Sequence, residues 1–133
     1  MKKFIVFIIS LFLVGNVFAE DGWVLKVGQS FELDTTEVIT SAYAEPLIVI
    51  CDRHGKTATV ILNVYKSVAA KNNNARVLMS AQFVATGDLF DTYFTQVVSG
   101  KWVIDPKGFL LDPAMDEVLK AKNFDKSQWQ NAQ

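Results

Sequence analysis

Leu47-Ile48-Val49-Ile50-Cys51, then Asp52-Arg53-His54-Gly55-Lys56, then Thr57-Ala58-Thr59-Val60-Ile61-Leu62-Asn63-Val64-Tyr65 is two strongly apolar runs joined by a polar segment of five residues. Two runs rich in β-branched and aromatic residues suit a pleated, half-buried surface. The polar joint between them carries a glycine where a left-handed backbone is expected, so the whole reads as a β-hairpin. The first run looks like a buried strand. Cys51 at its end then behaves as a small hydrophobe. Arg53, His54 and Lys56 follow closely, and positive charge beside an exposed thiol is the setting that would make it reactive.

Working outward, short apolar or alternating runs broken by turn residues recur from Trp23 to Ile104, the spacing of an antiparallel sandwich or barrel. Strands are expected near Trp23 to Val27, Glu37 to Tyr43, Pro46 to Cys51, Thr57 to Tyr65, Arg76 to Ala85, Asp91 to Val98 and Trp102 to Asp105. No helical periodicity is read in that region. Ser99-Gly100-Lys101 repeats the hairpin-turn signal. Lys71-Asn72-Asn73-Asn74 reads as an exposed polar loop, with asparagines that tolerate left-handed backbone. Asp112-Pro113 is an N-cap followed by proline at the first helical position, and Met115, Val118 and Leu119 share one face, so a helix is expected from Pro113 to about Lys122. The fold class is mainly β: an antiparallel β-sandwich of about seven strands with one C-terminal α-helix. It forms a single domain over residues 20–124, followed by a polar tail, 125–133, that frays.

Residues 1–19 read as a secretory signal peptide. Lys2 and Lys3 precede the apolar run Phe4 to Val14, and Val17-Phe18-Ala19 offers small residues at the cleavage positions. Cleavage after Ala19, before Glu20, leaves 114 residues, enough for one core, in a periplasmic or secreted protein with no stable membrane insertion. A retained membrane anchor is the competing reading.

The whole chain has 13 basic and 14 acidic residues; without Lys2 and Lys3 the balance is 11 to 14, or −3. Mild acidity with no basic face argues against nucleic acid as a partner. One cysteine allows no internal disulfide. His54 is the only histidine and sits in a turn, and no Gly-x-Ser-x-Gly elbow supplies a nucleophile. Cys51 and His54 form one isolated C-x-x-H pair, too few ligands for a metal site. The seven glycines are scattered singly, with no phosphate loop or dinucleotide fingerprint. No catalytic residue, metal ligand or cofactor is therefore expected. The candidate binding residues are the turn residues Arg53, His54 and Lys56, the loop residues Asn72, Asn73 and Asn74, and two aromatics, Tyr93 and Trp102. These aromatics fall in a stretch too crowded for all its rings to share one sheet face.

Trp23, Ser30, Leu33-Asp34-Thr35-Thr36-Glu37-Val38, Leu47 to Cys51 with Gly55-Lys56-Thr57, and the segment Leu119 to Phe124 together resemble the exported proteins associated with type VI secretion, the VasI/TagO family. The chain departs from that pattern at Ile50, where the family has arginine, and stops where the family continues into further strands. Such truncation leaves a sheet edge for Asp125 to Gln133 or a partner to cover. The resemblance implies an accessory of a secretion or transfer system in the cell envelope, and carries over no catalytic residue. The function expected is an exported, non-catalytic envelope protein acting by protein–protein contact with an envelope partner. The alternative is a periplasmic inhibitor or immunity protein whose loop, Arg53 to Lys56 or Lys71 to Asn74, blocks an envelope-acting enzyme.

Overall fold

The computed structural model describes residues 22–132; the expected signal segment lies outside them. The fold is predominantly β and antiparallel. Its centre is the hairpin of β4 (Tyr43–Asp52) and β5 (Thr57–Tyr65), extended by β6 (Met79–Thr86). On the other side of β4 stand β1 (Trp23–Leu25) and β9 (Trp129–Asn131), giving one five-stranded sheet ordered β6-β5-β4-β1-β9. Two small ribbons stand apart: β2 (Phe31–Glu32) with β3 (Val38–Ile39), and β7 (Gln96–Val98) with β8 (Lys101–Val103).

Strict alternation fixes which face of the sheet is inside. Ala58, Val60, Leu62 and Val64 of β5 are buried, and register places Phe83 and Ala85 of β6 and Ala44 and Ile48 of β4 on the same face. Of four short helices, α1 (Val68–Asn72) buries no residue, while α2 (Gly87–Tyr93), α3 (Pro106–Leu111) and α4 (Asp116–Ala121) cover that face. Phe90, Phe94, Phe109, Leu110 and Leu119 from the last three meet the sheet in one core. Phe90 and Phe94 stack at 5.9 Å, with Phe109 edge-on to Phe94 at 5.7 Å. Each such burial contributes about 1.5–3 kcal/mol.

The expected helix after Asp112 is present as a 3-10 turn, Pro113–Met115, leading into α4, and the Asp112 carboxylate accepts from the Ala114 N–H at 2.9 Å. Helix is more extensive than this one element. Asp105-Pro106 repeats the same signal: Asp105 accepts from Gly108 N–H at 2.9 Å and opens α3, where a strand end was expected. The strand expected over Asp91 to Val98 is instead the end of α2, a turn and β7, because Leu89, Phe90, Tyr93 and Phe94 recur at helical spacing and bury as a stripe. The polar run from Lys71 is in part helix: Ser67 caps α1, accepting from Ala70 N–H at 3.0 Å, and only Asn73 and Asn74 lie beyond it, Asn74 in the left-handed region.

The tail does not fray. Asp125 caps a 3-10 turn, Lys126–Gln128, and the chain then pairs with β1 along Trp23↔Asn131, Val24↔Gln130 and Leu25↔Trp129. Trp129 is buried, stacked on Phe124 at 4.7 Å and near Phe31 at 5.8 Å. The Lys126 ammonium donates to the carbonyls of Leu110, Leu111 and Asp112 at 3.0–3.3 Å and pairs with Asp116, closing the C-terminal end of α3. One indole and one lysine thus anchor a segment whose polar composition concealed it.

Candidate functional site

β4 is the strand from which the site is built. Its ten residues run unbroken through Ala44-Glu45-Pro46, where two separate strands were expected. Leu25 N–H donates to the Ala42 carbonyl, and β1 pairs with β4 at Tyr43 and Ala44 only. From Pro46 to Asp52, among the described residues, no strand pairs with that side. Alternation then turns the backbone groups of Pro46 and Ile48 outward, to the side Ala44 uses for β1. Proline fits there because its missing N–H is withdrawn from the open edge and not from the ladder with β5. A bulge between Ile48 and Ile50 bends the edge further.

The apolar run expected to be buried is largely on the surface, because Leu47 and Ile50 lie on the sheet face away from the core and the edge beside them has no described neighbour. Leu47, Val49 and Ile50 are 42%, 51% and 60% exposed, while Ile48 and Cys51 pack partly against the core. Burial raises the Cys51 thiol above its ordinary value, with Arg53 opposing, so it stays protonated at neutral pH. A groove of about 340 Å³ lies beside the start of the open edge, walled by Pro46, Leu47 and Ile48 on one side and Ile104, Pro106 and Lys107 on the other.

At the far end of β4 the turn to β5 is held by Asp52, whose carboxylate accepts from His54 N–H at 3.0 Å and Gly55 N–H at 3.1 Å. Lys56, not the expected Gly55, takes the left-handed backbone, at φ 56°. Gly55 serves a different need: a Cβ there would lie 2.7 Å from the Asp52 carboxylate. Beyond the turn stands the β7–β8 ribbon. Ser99 and Gly100 both have positive φ, the two-residue hairpin that matches strand twist. Arg53 lies over the Trp102 ring at 4.1 Å, and the Trp102 indole N–H donates to the Phe94 carbonyl at 2.7 Å. Every residue of the ribbon is exposed, Val97 and Val98 by 67% and 56%.

The candidate residues divide accordingly. Arg53, His54, Lys56 and Trp102 come together around one end of the open edge. Asn72, Asn73 and Asn74 do not: they end α1, whose Lys71 reaches the buried Glu45 at 3.5 Å. Glu45 and Asp52 lie seven positions apart on β4, roughly 23 Å at strand rise. Tyr93 is an internal strut, packed near Phe109 and donating its phenol to Asp112 at 2.6 Å. Sequence reading missed the surface role of Leu47, Val49 and Ile50, although Pro46 inside an apolar run was the signal of an edge.

Among the described residues no three of His, Cys, Asp and Glu gather where they could hold a metal ion, and no helix is long and apolar enough to cross a membrane. No family model, curated protein or solved structure matches the chain.

Proposed function

We propose that this chain is an exported, non-catalytic domain that works by protein–protein contact in the cell envelope, as an accessory of a secretion or transfer system. One observation carries the contact reading: an apolar strand edge, Pro46 to Asp52, lies open beside a ribbon that is exposed throughout. Uncovered apolar edges are aggregation sites in proteins that work alone, so an edge kept in this form argues for a partner that covers it. The basic n-region and apolar h-region within residues 1–19 and the resemblance to exported secretion-associated proteins support the compartment.

The test is site-specific photocrosslinking in the native cell, with the photoreactive residue at Val98 on the ribbon and, as a control, at Lys122 after α4. Mass spectrometry of the adducts should identify the same protein repeatedly from Val98 and not from Lys122. A Val98 probe that captures nothing beyond the Lys122 background would overturn the proposal. Recovery of a single stoichiometric hydrolase would replace the accessory role with the inhibitor role.

A further inference from the structure

The geometry points to an added strand: we infer that β4 binds an extended, apolar protein segment with acidic residues at its ends, laid antiparallel or parallel along the edge from Pro46 to Asp52. This rests on the contact reading above and specifies its mode.

The backbone offers hydrogen bonds that nothing described takes up. Ile48, the last residue before the bulge, directs its N–H and C=O away from β5, and Pro46 directs its C=O the same way, as the pairing of Ala44 with β1 fixes. A chain laid here gains main-chain bonds and sets alternate side chains against the sheet surface.

At the Pro46 end, the groove leaves room for part of one chain and not for a sheet. Its opposite wall, Ile104 to Lys107, is close enough to share a volume of about 340 Å³ with the edge. A second copy of the domain presenting its own β4 would bring its sheet into that wall. Pro46 and the bulge further interrupt a flat, continuous pairing between two such edges.

Charge specifies the ends. The chain as a whole is acidic once Lys2 and Lys3 are set aside, yet cations flank this edge: Lys107 at the Pro46 end, with Arg53, Lys56 and Lys101 at the other. Among the described residues none of these four pairs with a carboxylate; Arg53 and Lys107 lie over the rings of Trp102 and Trp23. Of the nearby acids, Asp52 and Asp105 are engaged in capping their own turns, and Glu45, which also lines the groove, is buried and paired with Lys71. Pro46 to Asp52 spans about 20 Å at strand rise, so acids about six residues apart reach both ends.

The probe is a fluorescent heptapeptide, Asp-Val-Thr-Ile-Thr-Val-Asp, titrated against the purified protein by anisotropy. Replacing both end residues with Lys should weaken binding about tenfold, and Arg53→Glu with Lys107→Glu should reverse that preference, with an unchanged melting temperature as the check on folding. Two N-methylated forms complete the test, one methylated at the odd and one at the even positions. A strand on the edge loses binding with only one of them, since only one set of N–H groups faces β4, and the Ile48 amide exchanges more slowly in the complex. Equal binding of both forms, or no binding of the parent peptide, would sink the added strand. If crosslinking from Val98 still yields its partner in that case, the contact reading stands and only this mode falls; if Val98 captures nothing, both fall.

Discussion

β4 and β5 are neighbours in one hairpin with similar apolar content, and they meet water very differently. β5 is paired on both sides along its length and buries every second residue. β4 is paired on both sides at Tyr43 and Ala44 and on one side thereafter, and its apolar residues from Leu47 onward are half in solvent. Composition is the same signal in both; sheet face and strand pairing together decide which becomes core and which becomes surface, for Leu47 and Ile50 lie opposite Ile61 and Thr59 on the face away from the core and beside the open edge.

The largest test of that contrast is made at a third strand. Trp129→Ala removes the indole that seats β9 on β1, and should cost about 3–5 kcal/mol, turning a covered edge into an open one like that of β4. Urea denaturation measures the loss, and a cost below about 1 kcal/mol would mean the tail is dispensable. Next, Leu62→Ala on the buried face of β5 should cost about 3 kcal/mol, whereas Ile50→Ala on β4 should stay within about 0.5 kcal/mol. Similar costs for the two would break the comparison. Ile50→Lys should further leave the melting temperature nearly unchanged while reducing light scattering on concentration, because it places a charge on the open edge.

Removing one ring tests the ribbon. Trp102→Ala takes away both the indole bond to Phe94 and the partner of Arg53, and amide exchange over 96–103 should accelerate while global stability moves little. An isolated two-stranded ribbon is marginal, so unchanged exchange would show that these contacts do not hold it.

The smallest effect is in pH. The Tyr93 phenol, then the Ala114 amide, hold the Asp112 carboxyl below its ordinary value, and the bond to Asp112 raises the phenol of Tyr93. A lowered carboxyl stabilises above its unfolded value, near 4, and the gain disappears as pH falls through the lower folded value. A raised phenol stabilises below about 10, and that gain disappears as pH rises through the higher folded value. Tyr93→Phe should therefore flatten the stability profile at both extremes, as melting temperatures at pH 3, 7 and 10.5 would reveal.

The strand-rich interior was legible in the sequence because period-two alternation in Thr57 to Tyr65 has no helical counterpart. The helix after Asp112 was legible from its cap. The identical cap at Asp105 was overshadowed by the β-branched residues before it, which is a conflict between local propensity and a terminal signal. Leu89, Phe90, Tyr93 and Phe94 carried a helical spacing over too few residues to stand out from the surrounding strands. Trp129 gave almost no local warning, since a lone aromatic in a polar stretch finds its place only through distant partners, Phe31 and Phe124. Of the site, the turn residues were legible as polar and exposed. The open edge was not, because its exposure follows from where β1 ends.

β1 and β9 lie side by side, with Trp23 opposite Asn131 and the Ala132 N–H donating to the Gly22 carbonyl at 3.0 Å. Trp23 and Trp129, which open these two strands, are roughly a hundred residues apart in the chain. Without Trp129 to Asn131, β1 keeps its short pairing with β4 and the contact of Trp23 with Phe124, and loses its neighbour on the other side. Removing Trp129 to Asn131 would therefore leave β1 as the outer strand of a four-stranded sheet, with Phe31 and Phe124 stripped of their shared ring partner.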